Sequence, residues 1–107
     1  GGGYLPAYSG RIDHAWGARP DCRGNKLKHK PSDYLKRMYF DTVVFSFDQL
    51  KYLIDKFGAD HIIMGTDYPY DMAEDDPIEH VLGTDGLSQD DITMITGGNA
   101  CKLFNIK

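Results

Sequence analysis

The stretch HIIMGTDYPYD, residues 61–71, sets the terms on which the chain can fold. Ile62-Ile63-Met64 is a continuous apolar run, the pattern of a strand buried on both faces, as in parallel sheets. Gly65 closes the run, and Asp67 follows just ahead of Tyr68-Pro69. A lone carboxylate thus falls where a buried strand stops. Upstream, residues 39–45 are rich in β-branched and aromatic side chains and short enough for another strand, with Asp41 inside it. Between the two, Ser46 and Gln49 form an S-x-x-Q capping box that predicts a helix start. Phe47, Leu50, Leu53, Ile54 and Phe57 then fall on one side at helical spacing, and Gly58 supplies a left-handed stop. Strand, amphipathic helix and buried strand make a βαβ unit with an expected right-handed crossover. The C-terminal ends of its strands share one edge, where α/β folds collect ligands and catalytic groups. Asp67 sits at that edge.

Farther out, the patterns are helical. Pro77 can occupy the first turn of a helix carrying Ile78, Val81 and Leu82; Ser88 and Asp91 begin another; Asn99 is expected to cap a last one with Ala100, Leu103 and Phe104. The acidic loop at residues 71–76 lacks the Gly and Glu positions of an EF-hand, which leaves solvation as its purpose. On the N-terminal side, Tyr8, Ile12 and Trp16 recur at the spacing of one face of a short helix over residues 6–16, ended by Gly17. Residues 18–31 read as loop, and Ser32 as the cap of a short helix reaching Arg37. There is no internal repeat. Two parallel strands leave both sheet edges unpaired and cannot cover so many helix faces, so further strands are expected from before Gly1 or from another chain.

Composition excludes several classes. The chain has 107 residues, one domain at most, with 41% hydrophobic and 26% charged residues, values that speak against general disorder. Its net charge is −4, with 12 Lys and Arg against 16 Asp and Glu, so no basic field draws nucleic acid or an anionic membrane surface. The one basic stretch, residues 23–37, has no aromatic stacking pattern and reads as a solvated face. Cys22 and Cys101 lie too far apart for a CxxC pair or a disulfide framework, and a reducing, cytoplasmic compartment is the expectation. No apolar run approaches the roughly 18 residues of a membrane span, and no signal peptide opens the chain. The leading Gly1-Gly2-Gly3 fits a cloning scar, a flexible linker or a tight loop whose preceding strand is missing.

Taken by themselves the polar residues allow plain readings. Asp67 could cap the turn before Tyr68-Pro69 by bonding its own backbone two residues on. Arg11 by itself is a surface residue. The spacings of His14, His29, His61 and His80 match no compact ligand motif, and His61 and His80 read as packed or exposed. Trp16 with Tyr8 reads as a core or subunit-contact stripe. Asp41 can bond backbone amides or a neighbouring arginine and stays outside the catalytic set.

Several segments in order resemble one family. Gly1-Gly2-Gly3, Leu5-Pro6, Gly10-Arg11-Ile12-Asp13, Tyr39-Phe40-Asp41, Met64-Gly65-Thr66-Asp67-Tyr68-Pro69-Tyr70 and Gly98-Asn99-Ala100 are similar to the C-terminal part of the amidohydrolase-2 group. Within that group the likeness is to the aminocarboxymuconate-semialdehyde decarboxylases and their relatives. The resemblance implies an α/β fold, a (β/α)8 TIM barrel of which residues 1–107 supply the C-terminal portion, the last two strands and the following helices, with no second domain. It implies a mononuclear divalent metal, usually zinc, at the C-terminal mouth, held by an HxH pair and a further histidine that this chain lacks and by the aspartate matching Asp67. The same aspartate can hold and deprotonate metal-bound water. The family's catalytic histidine stands immediately before the three glycines, one residue upstream of this sequence. Arg11 matches an arginine that in the decarboxylases reaches into the neighbouring subunit of a homodimer and binds a substrate carboxylate, which suits a bidentate guanidinium fork.

The expected function is thus the C-terminal part of a metal-dependent decarboxylase or hydrolase acting on a small carboxylated unsaturated or aromatic acid, inactive as an isolated piece because one ligand cannot hold a catalytic metal. The competing expectation is a small non-catalytic α/β binding or interaction module that associates through its exposed sheet edge.

Overall fold

In a computed structural model describing residues 1–23 and 27–107, the two strands pair as the sequence requires. β1 (Phe40–Asp41) and β2 (Ile62–Ile63) are parallel, with Phe40 opposite Ile62 and Asp41 opposite Ile63, and α3 (Phe47–Phe57) connects them. β1 is shorter than residues 39–45 promised. Thr42 still donates its N–H to the Ile63 carbonyl at 3.1 Å, but its own carbonyl accepts the Val44 N–H at 2.8 Å, which curls the chain out of the ladder. Phe45, at φ 59°, completes the bend. α3 begins where expected: Ser46 Oγ accepts the Gln49 N–H at 3.4 Å and also bonds the Asp48 carboxylate. That second bond holds the Asp48 carboxyl below its usual range. Gly58 follows the helix at φ 91°, a conformation that favours glycine.

The apolar side of α3 meets the sheet. Leu50, Leu53 and Ile54 are buried with Phe40, Ala59, Ile62, Val81 and Ile95 in one cluster, and Phe57 packs at its margin with its ring 4.3 Å from that of Phe40. Each of these side chains other than Ala59 contributes about 1.5–3 kcal/mol relative to exposure.

Beyond β2 come α4 (Pro77–Leu82), α5 (Gln89–Thr93), a π-helical turn (Met94–Gly98) and α6 (Asn99–Leu103). Asp76 caps α4 by accepting the Glu79 N–H at 3.0 Å, and Ser88 with Asp91 forms a complete reciprocal capping box on α5. Of the expected apolar positions on α4 only Val81 is buried; Ile78 and Leu82 are exposed.

Asn99 overturns its expected role. It lies inside a continuous helical run and is 4% exposed, and its Nδ2 donates to the carbonyls of Ala59 and Ile62, both at 2.7 Å. The neighbouring Met64 N–H donates to the Ile95 carbonyl at 3.0 Å. Alternate peptide groups of a parallel strand point to opposite sides. The Ile63 carbonyl and Gly65 N–H face β1, while the Ile62 carbonyl and Met64 N–H face away and are taken up by the helical segment. No third strand pairs with β2 among the described residues, as expected, but the Ile62 carbonyl and Met64 N–H on its outer side are bonded by side chain and helix. On β1, no third strand pairs among the described residues.

These elements, residues 39–107 with Gly1, form one compact unit; Gly2–Met38 form another. In the latter, α1 (Leu5–Ala18) is longer than residues 6–16, running through Gly10 and Gly17. It stops at Arg19, which is extended (φ −123°, ψ 118°) because the following Pro20 disfavours helical backbone before it. Pro20–Cys22 form a short 3-10 turn. α2 (Pro31–Leu35) is not capped by Ser32: Asp13 of α1 accepts the Ser32 N–H at 2.8 Å and ties the two helices together. Tyr8 does not join a buried stripe with Ile12 and Trp16; it is exposed and stacks on Tyr4 at 4.2 Å. Part of the expected loop at residues 18–31, with Lys26 of the basic stretch, lies outside the described residues.

Candidate functional site

Where the two strands end, Gly1, Asp41, Val43, Gly65, Thr66 and Asp67 line an open cleft of about 330 Å³. Asp67 has a left-handed backbone, φ 65°. Aspartate visits that region more readily than most residues, yet it is sparsely populated, at a cost of order 1–3 kcal/mol that the surrounding loop must offset. The loop does so with main-chain bonds. Tyr70 N–H donates to the Asp67 carbonyl and Ala73 N–H to the Tyr70 carbonyl, both at 3.1 Å, and Glu74 N–H returns to the Thr66 carbonyl at 2.7 Å. An Asx turn would need an N–H two residues on from Asp67, where Pro69 has none, and the Tyr68 N–H goes to Thr66 Oγ1 at 3.2 Å. The Tyr68–Pro69 peptide is cis. The plain reading of Asp67 as a turn cap is thereby excluded: Thr66 caps the turn. The Asp67 carboxylate is exposed and makes no hydrogen bond or ion pair among the described residues.

Asp41 shares this cleft, which the sequence reading did not anticipate. Its Oδ1 accepts the Val43 N–H at 2.8 Å and lies 2.5 Å from the nitrogen of Gly1. The sequence places it inside a strand over residues 39–45; it reaches the C-terminal strand end only because β1 stops at Asp41. Its behaviour matches one of its expected alternatives, since it bonds backbone nitrogen.

The acidic loop does more than attract water. Glu74 is largely buried, with Oε2 3.1 Å from His80 Nδ1 and Oε1 accepting the Asp76 N–H at 3.2 Å. His80 is buried against the edge of Phe47, ring centroids 5.5 Å apart, and anchors the loop that carries Asp67 to α4. His61 stacks on Tyr39 at 4.9 Å. Among the described residues no three His, Cys, Asp or Glu side chains group as a metal site needs. An unengaged carboxylate in an open cleft fits one position in the shell of a divalent cation, which takes carboxylate oxygen readily. The described residues do not complete such a shell.

Arg11 lies on the exposed side of α1, in the N-terminal unit, and borders a cleft of about 360 Å³ with His14, Ala15, Ala18, Arg19 and Cys22. The neighbouring guanidinium of Arg19 is engaged twice by Asp21, at 3.1 and 2.7 Å, and holds the Asp21 carboxyl below its usual range. Arg23 donates to the carbonyls of Trp16 and Gly17. Arg11 has no such partner among the described residues, so its five donors are available. Cys22 and Cys101 are both free and exposed.

Comparison with known proteins gives this geometry a setting. Residues 12–106 match the family model described as Amidohydrolase. The chain is 30% identical over 106 residues to 2-amino-3-carboxymuconate-6-semialdehyde decarboxylase of Dictyostelium discoideum, which covers 99% of this chain and 30% of that protein. It superposes on 5-carboxyvanillate decarboxylase of Sphingomonas paucimobilis with a TM-score of 0.80 at 30% identity, over 96% of this chain and 31% of that one. A dihydroxybenzoic acid decarboxylase of Polaromonas, solved with manganese and the inhibitor 2-nitroresorcinol, gives a TM-score of 0.69 at 28% identity, over 95% and 31% of the two chains. The chain thus spans about 30% of the length of these relatives.

Proposed function

The chain belongs to the amidohydrolase family, and from that premise we propose that it is the C-terminal share of a metal-dependent decarboxylase acting on a small carboxylated unsaturated or aromatic acid. In this reading β1 and β2 are the last two strands of a (β/α)8 barrel, and the remaining strands come from the rest of the parent protein. Three things support it: the parallel pair with its connecting helix, the names of the relatives, and the share of their length that the chain covers. Decarboxylation is favoured over hydrolysis because the named relatives are decarboxylases.

The observation that carries the proposal is the carboxylate of Asp67, held by a strained backbone at the strand ends while its loop leaves it no partner. When bound, a divalent cation supplies charge neutralisation and polarisation of a substrate oxygen. Zinc is our first choice, and manganese, present in the Polaromonas relative, is the second. Asp67 offers one oxygen as a ligand and keeps the other to accept a hydrogen bond or proton. Asp41, bonded to backbone nitrogen, shapes the same wall without ligating. Arg11 is assigned to the substrate carboxylate of a neighbouring subunit in a cytoplasmic homodimer, a role open to an exposed guanidinium without a partner among the described residues. The 107-residue chain alone is inactive in this reading, since one carboxylate is one ligand.

The deciding experiment is metal analysis and turnover of the full-length protein, wild type against Asp67→Asn. A large loss of bound metal and of decarboxylation is expected; unchanged metal and rate remove Asp67 from the site and the proposal with it. Arg11→Ala should retain metal while raising KM about tenfold or more, the loss of a bidentate charge-assisted pair. An unaltered KM ends that assignment.

A further inference from the structure

We infer that Thr42 is a positioning residue for Asp67, acting through the peptide of Gly65; the inference rests on the metal role proposed for Asp67. In a parallel ladder the bond after Thr42 N–H to Ile63 carbonyl would run from the Gly65 N–H to the Thr42 carbonyl. That carbonyl is already turned to the Val44 N–H, at 2.8 Å. The Thr42 side chain takes over the vacated bond. Its Oγ1 accepts the Gly65 N–H at 3.2 Å and lies 3.4 Å from the Gly65 carbonyl, where the hydroxyl hydrogen can be given. One hydroxyl thus brackets both polar groups of the residue from which Thr66 and Asp67 depart.

Thr42 is fully buried, while Asp41 before it is exposed and lines the cleft. Few residues can replace it. A valine keeps the shape but leaves the partly buried Gly65 N–H without this partner, and the strand ends can then part. A serine keeps the hydroxyl but leaves a methyl-sized gap. Space-filling and positioning roles therefore order these substitutions oppositely.

The test uses the full-length protein in Thr42→Val, Thr42→Ser, Thr42→Ala and Asp67→Asn forms. Zinc and manganese affinities are read by competition with a chromophoric chelator, alongside folded content from circular dichroism. Positioning predicts that Thr42→Val weakens metal binding by about 10–100-fold, the usual effect of losing a partner that orients a ligand. Thr42→Ser should retain most of the wild-type affinity. Wild-type affinity in Thr42→Val, with metal lost in Asp67→Asn, overturns the role of Thr42 and leaves that of Asp67. Metal retained in Asp67→Asn overturns both. Should the valine variant not fold, the Ser and Ala forms, which differ only by the hydroxyl, decide: equal affinities refute the inference, and a weaker Ala form supports it.

Discussion

Asp41 and Asp67 both stand at the C-terminal ends of neighbouring parallel strands and border one cleft, yet their carboxylates are used differently. Asp41 accepts the Val43 N–H two residues on, the local bond that aspartate commonly makes in turns. Asp67 has no such N–H to accept, because Pro69 stands two residues on. The other amides of its loop are taken elsewhere, the Tyr68 N–H by Thr66 and those of Tyr70 and Glu74 by main-chain carbonyls. An acid is left unengaged when a proline removes the amide in reach and other groups satisfy the rest. The difference between the two residues lies less in the acids than in what flanks them.

This contrast can be broken most directly by paired substitutions in the full-length protein. Asp67→Asn should lower metal affinity by more than about a hundredfold, beyond the cost of losing an outer partner, whereas Asp41→Asn should keep the metal because an amide oxygen still accepts the Val43 N–H. Chelator competition on both variants checks this, and equal losses would erase the distinction. A smaller effect is expected at the other end of β2. Asn99→Ala strands two buried carbonyls and should cost about 1–3 kcal/mol in urea unfolding, with Asn99→Asp no better, since a carboxylate cannot donate to them. A cost near zero would mean that water replaces the amide. The smallest effect belongs to the α5 cap. The Asp91 carboxyl is held below its usual range chiefly by the Ser88 N–H and then by the Ser88 hydroxyl. A depressed folded pKa stabilises above the unfolded value, near about 3.9, and that contribution disappears as pH falls through the folded value. Thermal melts of Asp91→Ala should therefore lie below wild type at neutral pH and converge with it in acid; a gap that widens in acid contradicts this.

The βαβ unit was legible because its signals are local. The S-x-x-Q start, the apolar side of α3 and the run Ile62-Ile63-Met64 each state their own conformation, and Leu50, Leu53 and Ile54 are buried together as that side requires. Asp67 could be singled out for the same reason, by its place past a strand end. The misreadings cluster where a bond spans many residues. Asn99 carries a helix-cap sequence yet reaches carbonyls 40 and 37 positions back, and Ser32 is served by Asp13 from 19 positions back. Glu74, in a segment that reads as solvated, is largely buried against His80.

Sequence by itself determined which segments are helix and strand, that the strands run parallel, and which edge would carry a carboxylate, because capping, periodicity and burial patterns act over a few residues. Only the tertiary structure decided which carboxylate stays free, that the Thr42 hydroxyl stands in for a ladder bond, and that Asn99 and Ile95 take up the Ile62 carbonyl and the Met64 N–H. Each of these is a choice among donors and acceptors that meet only after folding. The physical reason is that a buried polar group must find a partner, and the sequence does not say which of several will be nearest.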